Sequence, residues 1–476
     1  MSETTLPASR QDHQPRRVLT LLDAVCIIVG TIIGAGIFET TPLIASNAGD
    51  IYWLIGLWLF GGLLVLIGAI CFAELTSANP NAVGGDYIYL KKATGRPVAF
   101  IFAWAAFWVI RPGNIGAMAM IFARYFDEIV PMPGGSLVPY AILAVLVLSG
   151  ANLLGMHQGK WVQNVLTITK VAGILMIVTL AFVFPSSANV AEPPTPFAGG
   201  SLLLAMVLIM FTFGGWNDIS FVAAEIKAPQ KNLFRSLVFG TLGVTLIYIL
   251  INVAFCVGLG FEAMANSQAV AADVVKSTLG PDSMLGRESG RLISALVCIS
   301  CLGAINGIIL TSPRIYYAAG QDYPQLGALG RWDRKRDLPW PATIAQAAVT
   351  VGLLMICYTY SNAFEVIVIV TAPVFWLFLG LTALTLIVLR IRRTSGAKDG
   401  LPEASVTADK SDAGIFQVPL FPLPPLILAG ACFAMVYTSV DYLISQQYWL
   451  VAGLIGGIML VGLVLGISLK PNRESH

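Results

Sequence analysis

The residues best placed to do chemistry are backbone groups at two soft spots. Gly34-Ala35-Gly36 interrupts the first apolar stretch and Gly214-Gly215 interrupts the sixth, about half a chain apart. In a lipid environment a helix can leave backbone amides and carbonyls unpaired only where the break lines a cavity or is covered by protein. Two breaks at matched places therefore imply a central site. At the first break, a half-helix starting near residues 34 to 36 presents free amides and its positive dipole end to a carboxylate. The last carbonyls of the preceding half, near Ile32, are free to accept from an ammonium group, so one break reads both charges of a zwitterion. The competing reading makes Gly30 and Gly34 a small-xxx-small packing face.

The second break, Phe211-Thr212-Phe213-Gly214-Gly215-Trp216-Asn217-Asp218, releases further carbonyls between aromatic rings. Asn217 either caps the second half-helix or contacts a ligand through its amide, and Asp218 is read as a cap or as an acid that selects a cationic side chain. Lys170 stands in the middle of the fifth apolar stretch, too far from an interface to snorkel, and a buried ammonium in lipid marks a functional site. Arg111, followed by Pro112 in the third stretch, either satisfies carbonyls at a kink or gates the site. Phe211, Trp216, Phe375 and Trp376 are candidates to face the pocket.

The elements that must position these groups are membrane spans. Hydrophobic residues make up 57% of the 476-residue chain and charged residues 11%, against about 25% charged in an ordinary soluble domain. Mean hydropathy is +0.78. Twelve apolar stretches can each cross a roughly 30 Å hydrocarbon layer: 18–44, 51–77, 98–126, 136–155, 160–185, 200–226, 233–260, 289–320, 341–360, 362–391, 421–440 and 447–469. In this twelve-span topology the Lys and Arg residues gather on the side of the N-terminus. The exceptions are Arg124, Lys276, Arg287 and Arg291 on the other side, with Arg111 and Lys170 inside spans. Both termini are thus expected in the cytoplasm of a plasma or inner membrane. Arg16 and Arg17 precede an apolar run, but without a small-residue cleavage site they do not make a signal peptide.

Composition and spacing exclude several functions. The seven cysteines lie in or beside spans, so no external disulfide framework is expected. His13, His157 and His476 have no metal-ligand spacing, and neither a cofactor nor a metal is expected. Gly155 to Lys160 is one residue short of a phosphate-binding loop and lacks the following Ser or Thr. No basic-aromatic stripe suggests nucleic acid, and no nucleophile, base and metal set suggests an enzyme.

Taken together, Gly30 to Phe38, Gly214-Gly215-Trp216-Asn217 leading to Glu225-Ile226-Lys227-Ala228-Pro229, Ile110-Arg111-Pro112, Gly303-Ala304-Ile305-Asn306-Gly307, Thr311-Ser312-Pro313-Arg314 and Val418-Pro419-Leu420-Phe421 resemble the L-type amino-acid transporters of the amino acid-polyamine-organocation superfamily. The resemblance covers nearly the whole chain and is expected to extend to a bacterial member. It implies an all-α polytopic membrane protein with a LeuT-like fold of 12 transmembrane helices. Inverted repeats are expected at 18–199 (spans 1–5) and 200–391 (spans 6–10), with helices 1 and 6 broken. The remaining parts are a cytoplasmic tail 1–17, a cytoplasmic loop 392–420, spans 11–12 at 421–470, and a tail 471–476.

The same resemblance implies that the substrate carboxylate meets amides around Gly34, Ala35 and Gly36. The ammonium meets carbonyls of Ile32, Phe211 and Gly214, Phe211 closes above the substrate, and Asn217 lies near the site. Many relatives carry Ser where this chain has Ala35, so a hydroxyl contact is missing here. Lys170 corresponds to a lysine that replaces a sodium ion between spans 1, 5 and 8. Its expected partners are backbone carbonyls together with Asn306, Thr311 or Ser312. Arg111 falls in the family's span 3 motif. The implied activity is sodium-independent exchange of neutral L-amino acids by alternating access, with proton-coupled symport or a non-transporting sensor as alternatives. Eukaryotic relatives join a heavy chain through a cysteine after span 3. The loop Phe126 to Ser136 has none, so no disulfide-linked partner is expected beyond the substrate and the lipid bilayer.

Overall fold

A computed structural model describes residues 15–132, 136–185, 201–280, 282–358, 363–394, 416–445 and 447–470. The expectations placed on His13, His476, Arg10, Lys398, Lys410, Arg473 and most of both tails and of the 392–420 loop lie outside them. Among the described residues ten helices are long and apolar enough to cross a membrane. Two shorter apolar helices, Val138–Leu153 and Trp340–Ile356, stand where spans 4 and 9 are expected. The only β pairing among the described residues consists of two isolated bridges.

Local chemistry sets the helix ends. Thr20 and Asp23 form a capping box at the start of span 1, Asp50 caps span 2 (Ile51–Ser77), and Ser201 caps span 6. Both expected breaks are present. Span 1 runs Leu21–Ile32, leaves the helix at residues 33 to 35, where the Ile33 amide still reaches the Val29 carbonyl (3.0 Å), and resumes as Gly36–Glu39. The opening therefore begins one residue earlier than glycine content alone suggests. Span 6 runs Leu202–Thr212, breaks, and continues as a 3-10 helix Trp216–Glu225. Gly215 sits at φ +99, a left-handed conformation that a side chain resists. Span 3 holds a π-helical turn, Ala106–Ile110, immediately before Arg111–Ile129. Such turns reset which face the following residues present.

The broken spans form the centre. In span 1, 83% of the most apolar window is buried, whereas in span 12 (Trp449–Ser468) only 11% is, which assigns span 12 to the lipid-facing rim. Span 1 packs on span 5 (Met156–Val183), span 7 (Pro229–Leu259), span 8 (Ser289–Thr311) and the 3-10 half of span 6. Gly30 supports this packing, because a Cβ there would lie 2.0 Å from the Gln163 amide nitrogen. Of the two alternatives for the Gly30 and Gly34 pair, close packing describes Gly30 and the break describes Gly34.

The end of the molecule bearing the N-terminal segment is sewn shut. Leu19 donates to the Glu225 carbonyl (2.9 Å) and accepts from the Lys227 amide (2.8 Å). Arg314 makes two bonds to the Glu225 carboxylate, 2.8 and 3.1 Å, with both side chains buried. Removing one member of such a pair strands a buried charge, while removing both need not. Glu225→Gln or Arg314→Met alone is expected to lose about 3–5 kcal/mol of stability. The double variant should recover most of it, as checked by thermal unfolding of the purified protein.

Candidate functional site

The two breaks meet across a cavity of about 100 Å³. Its wall includes Ile32, Gly34 and Gly36 from span 1 and Phe211, Gly214 and Gly215 from span 6. Met118 and Asn114 come from span 3, Ala304 and Ile308 from span 8, and Thr371, Phe375 and Trp376 from span 10 (Ala363–Thr394). Amides of residues 35 to 37 open the second half of span 1, where the first bonds of the new turn run from Phe38 and Glu39 back to the Ala35 carbonyl. The amides at this start have no intrahelical partner and carry the positive end of the helix. Ile32, Phe211 and Gly214 of the broken ends line the same cavity. The site can thus bind an anion on one side and a hydrogen-bond donor on the other.

Three side chains hold the broken ends in place. The Tyr248 hydroxyl, on span 7, reaches both the Ile32 carbonyl (3.1 Å) and the Thr212 carbonyl (3.2 Å). The Thr31 hydroxyl lies 3.1 Å from the Gly215 carbonyl. Lys170 donates to the carbonyls of Gly30 (3.0 Å), Ile33 (2.6 Å) and Ser300 (2.9 Å). The lysine is fully buried, and Gly303 makes room for it, because a Cβ there would lie 2.5 Å from Nζ.

These contacts correct parts of the sequence reading. Asn306, Thr311 and Ser312 do not join Lys170. Asn306 bonds Asn152, Gln163 and the Gly159 carbonyl, Thr311 back-bonds to Gly307, and Ser312 reaches Gln346. Their distances from the amine follow from helical rotation, which sequence order leaves open. Trp216 turns from the cavity and packs edge-on against Phe72 at 4.9 Å. Ala35 and Asn217 are buried but do not line the cavity; the Asn217 amide donates 3.3 Å to Asp86. Arg111 and Asp218 do line it, paired at 2.8 Å, so Asp218 is neither a simple cap nor a free acid.

Sequence reasoning missed Tyr248, Asn114, Met118 and Thr371. For Tyr248 a signal existed: a tyrosine amid Leu246, Ile247, Ile249 and Leu250 needs a partner for its hydroxyl. Asn114 and Thr371 gave none, because hydroxyls and amides in spans mostly satisfy themselves locally.

With this geometry in hand, comparison with known proteins is decisive: the amino acid permease family profile matches residues 19–464. The chain belongs to the amino acid permease family. The permease is 30% identical over 413 residues to the b(0,+)-type amino acid transporter 1 of Mus musculus, covering 83% of this chain and 82% of that one. It is 28% identical over 391 residues to the Asc-type amino acid transporter 1 of Mus musculus, covering 79% and 71%. It is 29% identical over 391 residues to the large neutral amino acids transporter small subunit 2 of Homo sapiens, covering 79% and 70%. The permease is a multi-pass membrane transport protein and not an enzyme.

Two predictions follow from the contacts. Tyr248→Phe keeps the ring packing against Trp58 and Phe213 but deletes the hydroxyl that reaches the Ile32 and Thr212 carbonyls. A buried hydrogen-bonding group left without its partner costs about 1–3 kcal/mol, so substrate affinity is expected to fall roughly 5- to 100-fold, read as a rise in the half-saturating concentration. Asp86 lies in the connecting helix Asp86–Thr94, outside the spans. Burial pushes its carboxyl up to about 7, the Arg111 charge opposes that, and Asp218 adds to it, while Ser220 and Asn217 bonds oppose it. As pH rises from about 4 through 7 the folded form keeps a proton that the unfolded chain releases, so this group lowers stability across that window. Asp86→Asn is expected to lose less melting temperature between pH 5 and pH 8 than the parent.

Proposed function

We propose that the permease exchanges small neutral L-amino acids across the plasma membrane without sodium, with both termini in the cytoplasm. The substrate carboxylate binds at the amides opening the second half of span 1, around Ala35 and Gly36, beside Gly34 in the cavity wall. Its ammonium binds at carbonyls of Ile32, Phe211 and Gly214, and Phe211 forms the lid toward the outside. The relatives named as b(0,+)-type, Asc-type and large neutral amino acid transporters support an amino acid as cargo. Size supports a small one, because an apolar cavity of ~150 Å³ just holds benzene and this one is about 100 Å³.

The observation that carries the exchange reading is Lys170. Its ammonium occupies a three-carbonyl cradle beneath the break, between spans 1, 5 and 8. A cation tethered to the chain fills the place where a dissolved ion would bind and leave, so no ion gradient is harnessed by that position. Net movement then depends on substrate on the opposite side, as the core of two five-span halves (18–199 and 200–391) rocks around the site. Spans 11 and 12 stand outside that core. Arg111 lines the cavity and pairs with Asp218. No disulfide-linked heavy chain takes part.

Purified permease in liposomes tests the reading without any partner protein. Labelled L-alanine should enter only vesicles preloaded with unlabelled neutral amino acid, at equal rates with and without sodium. Uptake into empty vesicles driven by an inward proton gradient would instead make it a symporter, and saturable binding with no flux would make it a sensor. Lys170→Met, which removes the donor to the Gly30 and Ile33 carbonyls at the break, should cut exchange by at least tenfold in the same assay, given a penalty of about 1–3 kcal/mol per orphaned buried group.

A further inference from the structure

Three buried charges gather where the connector between spans 2 and 3 touches the second half of span 6. The connector turns at Gly84 and Gly85, both at positive φ, and continues as the helix Asp86–Thr94. The Gly84 amide donates to the Phe221 carbonyl (3.1 Å), and a Cβ on Gly85 would lie 2.5 Å from Ser220 Oγ. This close approach sets Asp86, 3% exposed, against the 3-10 half of span 6, where it accepts from the Asn217 amide (3.3 Å) and the Ser220 hydroxyl (3.4 Å). The Arg111 charge acts on Asp86, but its hydrogen bond of 2.8 Å goes to Asp218. Two buried carboxylates thus share one guanidinium. The other charged and titratable groups around the helix are engaged elsewhere. On the continuation of span 8, Pro313–Asp322, Arg314 pairs with Glu225, Asp322 pairs with Lys91 and accepts from Tyr87, and Tyr316 donates to the Ala106 carbonyl. At the far end Lys92 reaches Asn79, Arg392 of span 10 donates to the Lys92 carbonyl, Arg390 pairs with Glu74, and Arg96 of span 3 acts on Tyr87. Tyr89, on the same helix as Asp86, is fully buried and neutral.

We propose that Asp86 is a proton-binding site that makes opening toward the N-terminal side depend on pH, the protonated form holding the connector to span 6 and the charged form releasing it. This rests on the reading of the permease as an exchanger. With a proton on Asp86 the cluster is neutral, because Arg111 then balances Asp218 alone. The proton also has an acceptor at hand. The Asn217 side-chain oxygen is buried without a partner among the described residues, and the Asn217 amide, turned over, presents that oxygen across the same contact to Asp86. Without the proton, a buried carboxylate stands beside Asp218 with like charge and no cation of its own. Separation of the connector from span 6 lets water reach it. Burial pushes the closed-state carboxyl up to about 7, against about 3.9 for a solvated one. The closed form therefore binds the proton more tightly than the open form. Opening becomes easier as pH rises from about 4 to 7, by up to about tenfold per pH unit, and levels off above 7. The Leu19 bridge and the Arg314 and Glu225 pair close the same end of the molecule.

The test is the pH profile of labelled L-alanine exchange in preloaded liposomes, with the same pH on both faces. Exchange by the wild-type permease should rise roughly tenfold or more between pH 5 and pH 7 and flatten above that. Asp86→Asn, which keeps the shape and fixes the neutral form, should hold the low rate at every pH. Ser220→Ala, which removes a donor to the charged carboxylate, should move the rise to higher pH. Infrared spectroscopy of the purified permease reads the proton without transport: the wild type should show a protonated-carboxyl stretch that titrates near pH 7 and that Asp86→Asn lacks. A wild-type rate that does not rise with pH, a rise that persists in Asp86→Asn, or the absence of that stretch overturns the proposal. If Asp86→Asn does not fold, the Ser220→Ala profile decides, and an unmoved midpoint overturns it. If alanine is not exchanged at any pH, the exchange reading fails, and the infrared titration of the wild type decides separately whether Asp86 holds the proton.

Discussion

An unpaired amide or carbonyl in the hydrocarbon layer costs several kcal/mol, and each other feature of this protein answers to that constraint. Two of its helices are open in mid-membrane, at residues 33 to 35 and at 213 to 215. The openings persist because other groups take up most of what they release. Lys170 takes the carbonyls of Gly30 and Ile33, Tyr248 takes those of Ile32 and Thr212, and Thr31 takes that of Gly215. The amides of residues 35 to 37, which open the second half of span 1, have no intrahelical partner.

The surrounding structure keeps this arrangement in register while allowing it to open. On the side of the N-terminal segment, the Leu19 bridge and the buried Arg314 and Glu225 pair hold span 1 to the end of span 6. On the opposite side, Glu39 of the second half of span 1 accepts from Arg124 and Tyr125 at the end of span 3. One closure is buried and the other is partly exposed, so they differ in how readily water can replace their contacts.

Much of this was legible in the sequence because some residues carry positional meaning by themselves. Glycine pairs in a span and a lysine in mid-membrane are each costly enough to be read without a structure. They located both breaks to within a residue and placed Lys170 beneath the first. Rotation about a helix axis was not legible. Trp216, next to the break, faces span 2, while Thr371, in a plain apolar span, faces the cavity. The partnership of Arg111 with Asp218 links residues 107 positions apart and depends on a π-helical turn that no local pattern announces. The one-residue shift of the first break has a plainer cause. Ile33 lends its carbonyl to Lys170, so the helix ends where the lysine reaches rather than where the glycine stands.

The central claim is that the two breaks read both charges of an α-amino acid. It is tested most directly by equilibrium competition on the purified permease with L-alanine, its methyl ester, its N-acetyl derivative and ethylamine. The ester and the N-acetyl compound each remove one charge while keeping the side chain, and ethylamine removes the carboxylate altogether. The account predicts that L-alanine alone competes at low concentration, each of the others weakening by at least a hundredfold, since each loses one charge-assisted interaction of about 1.5–3 kcal/mol and strands its backbone partners. An ester or an amine that competes as well as alanine would mean that the amides at Gly34, Ala35 and Gly36 do not hold a carboxylate, and the breaks would need another explanation.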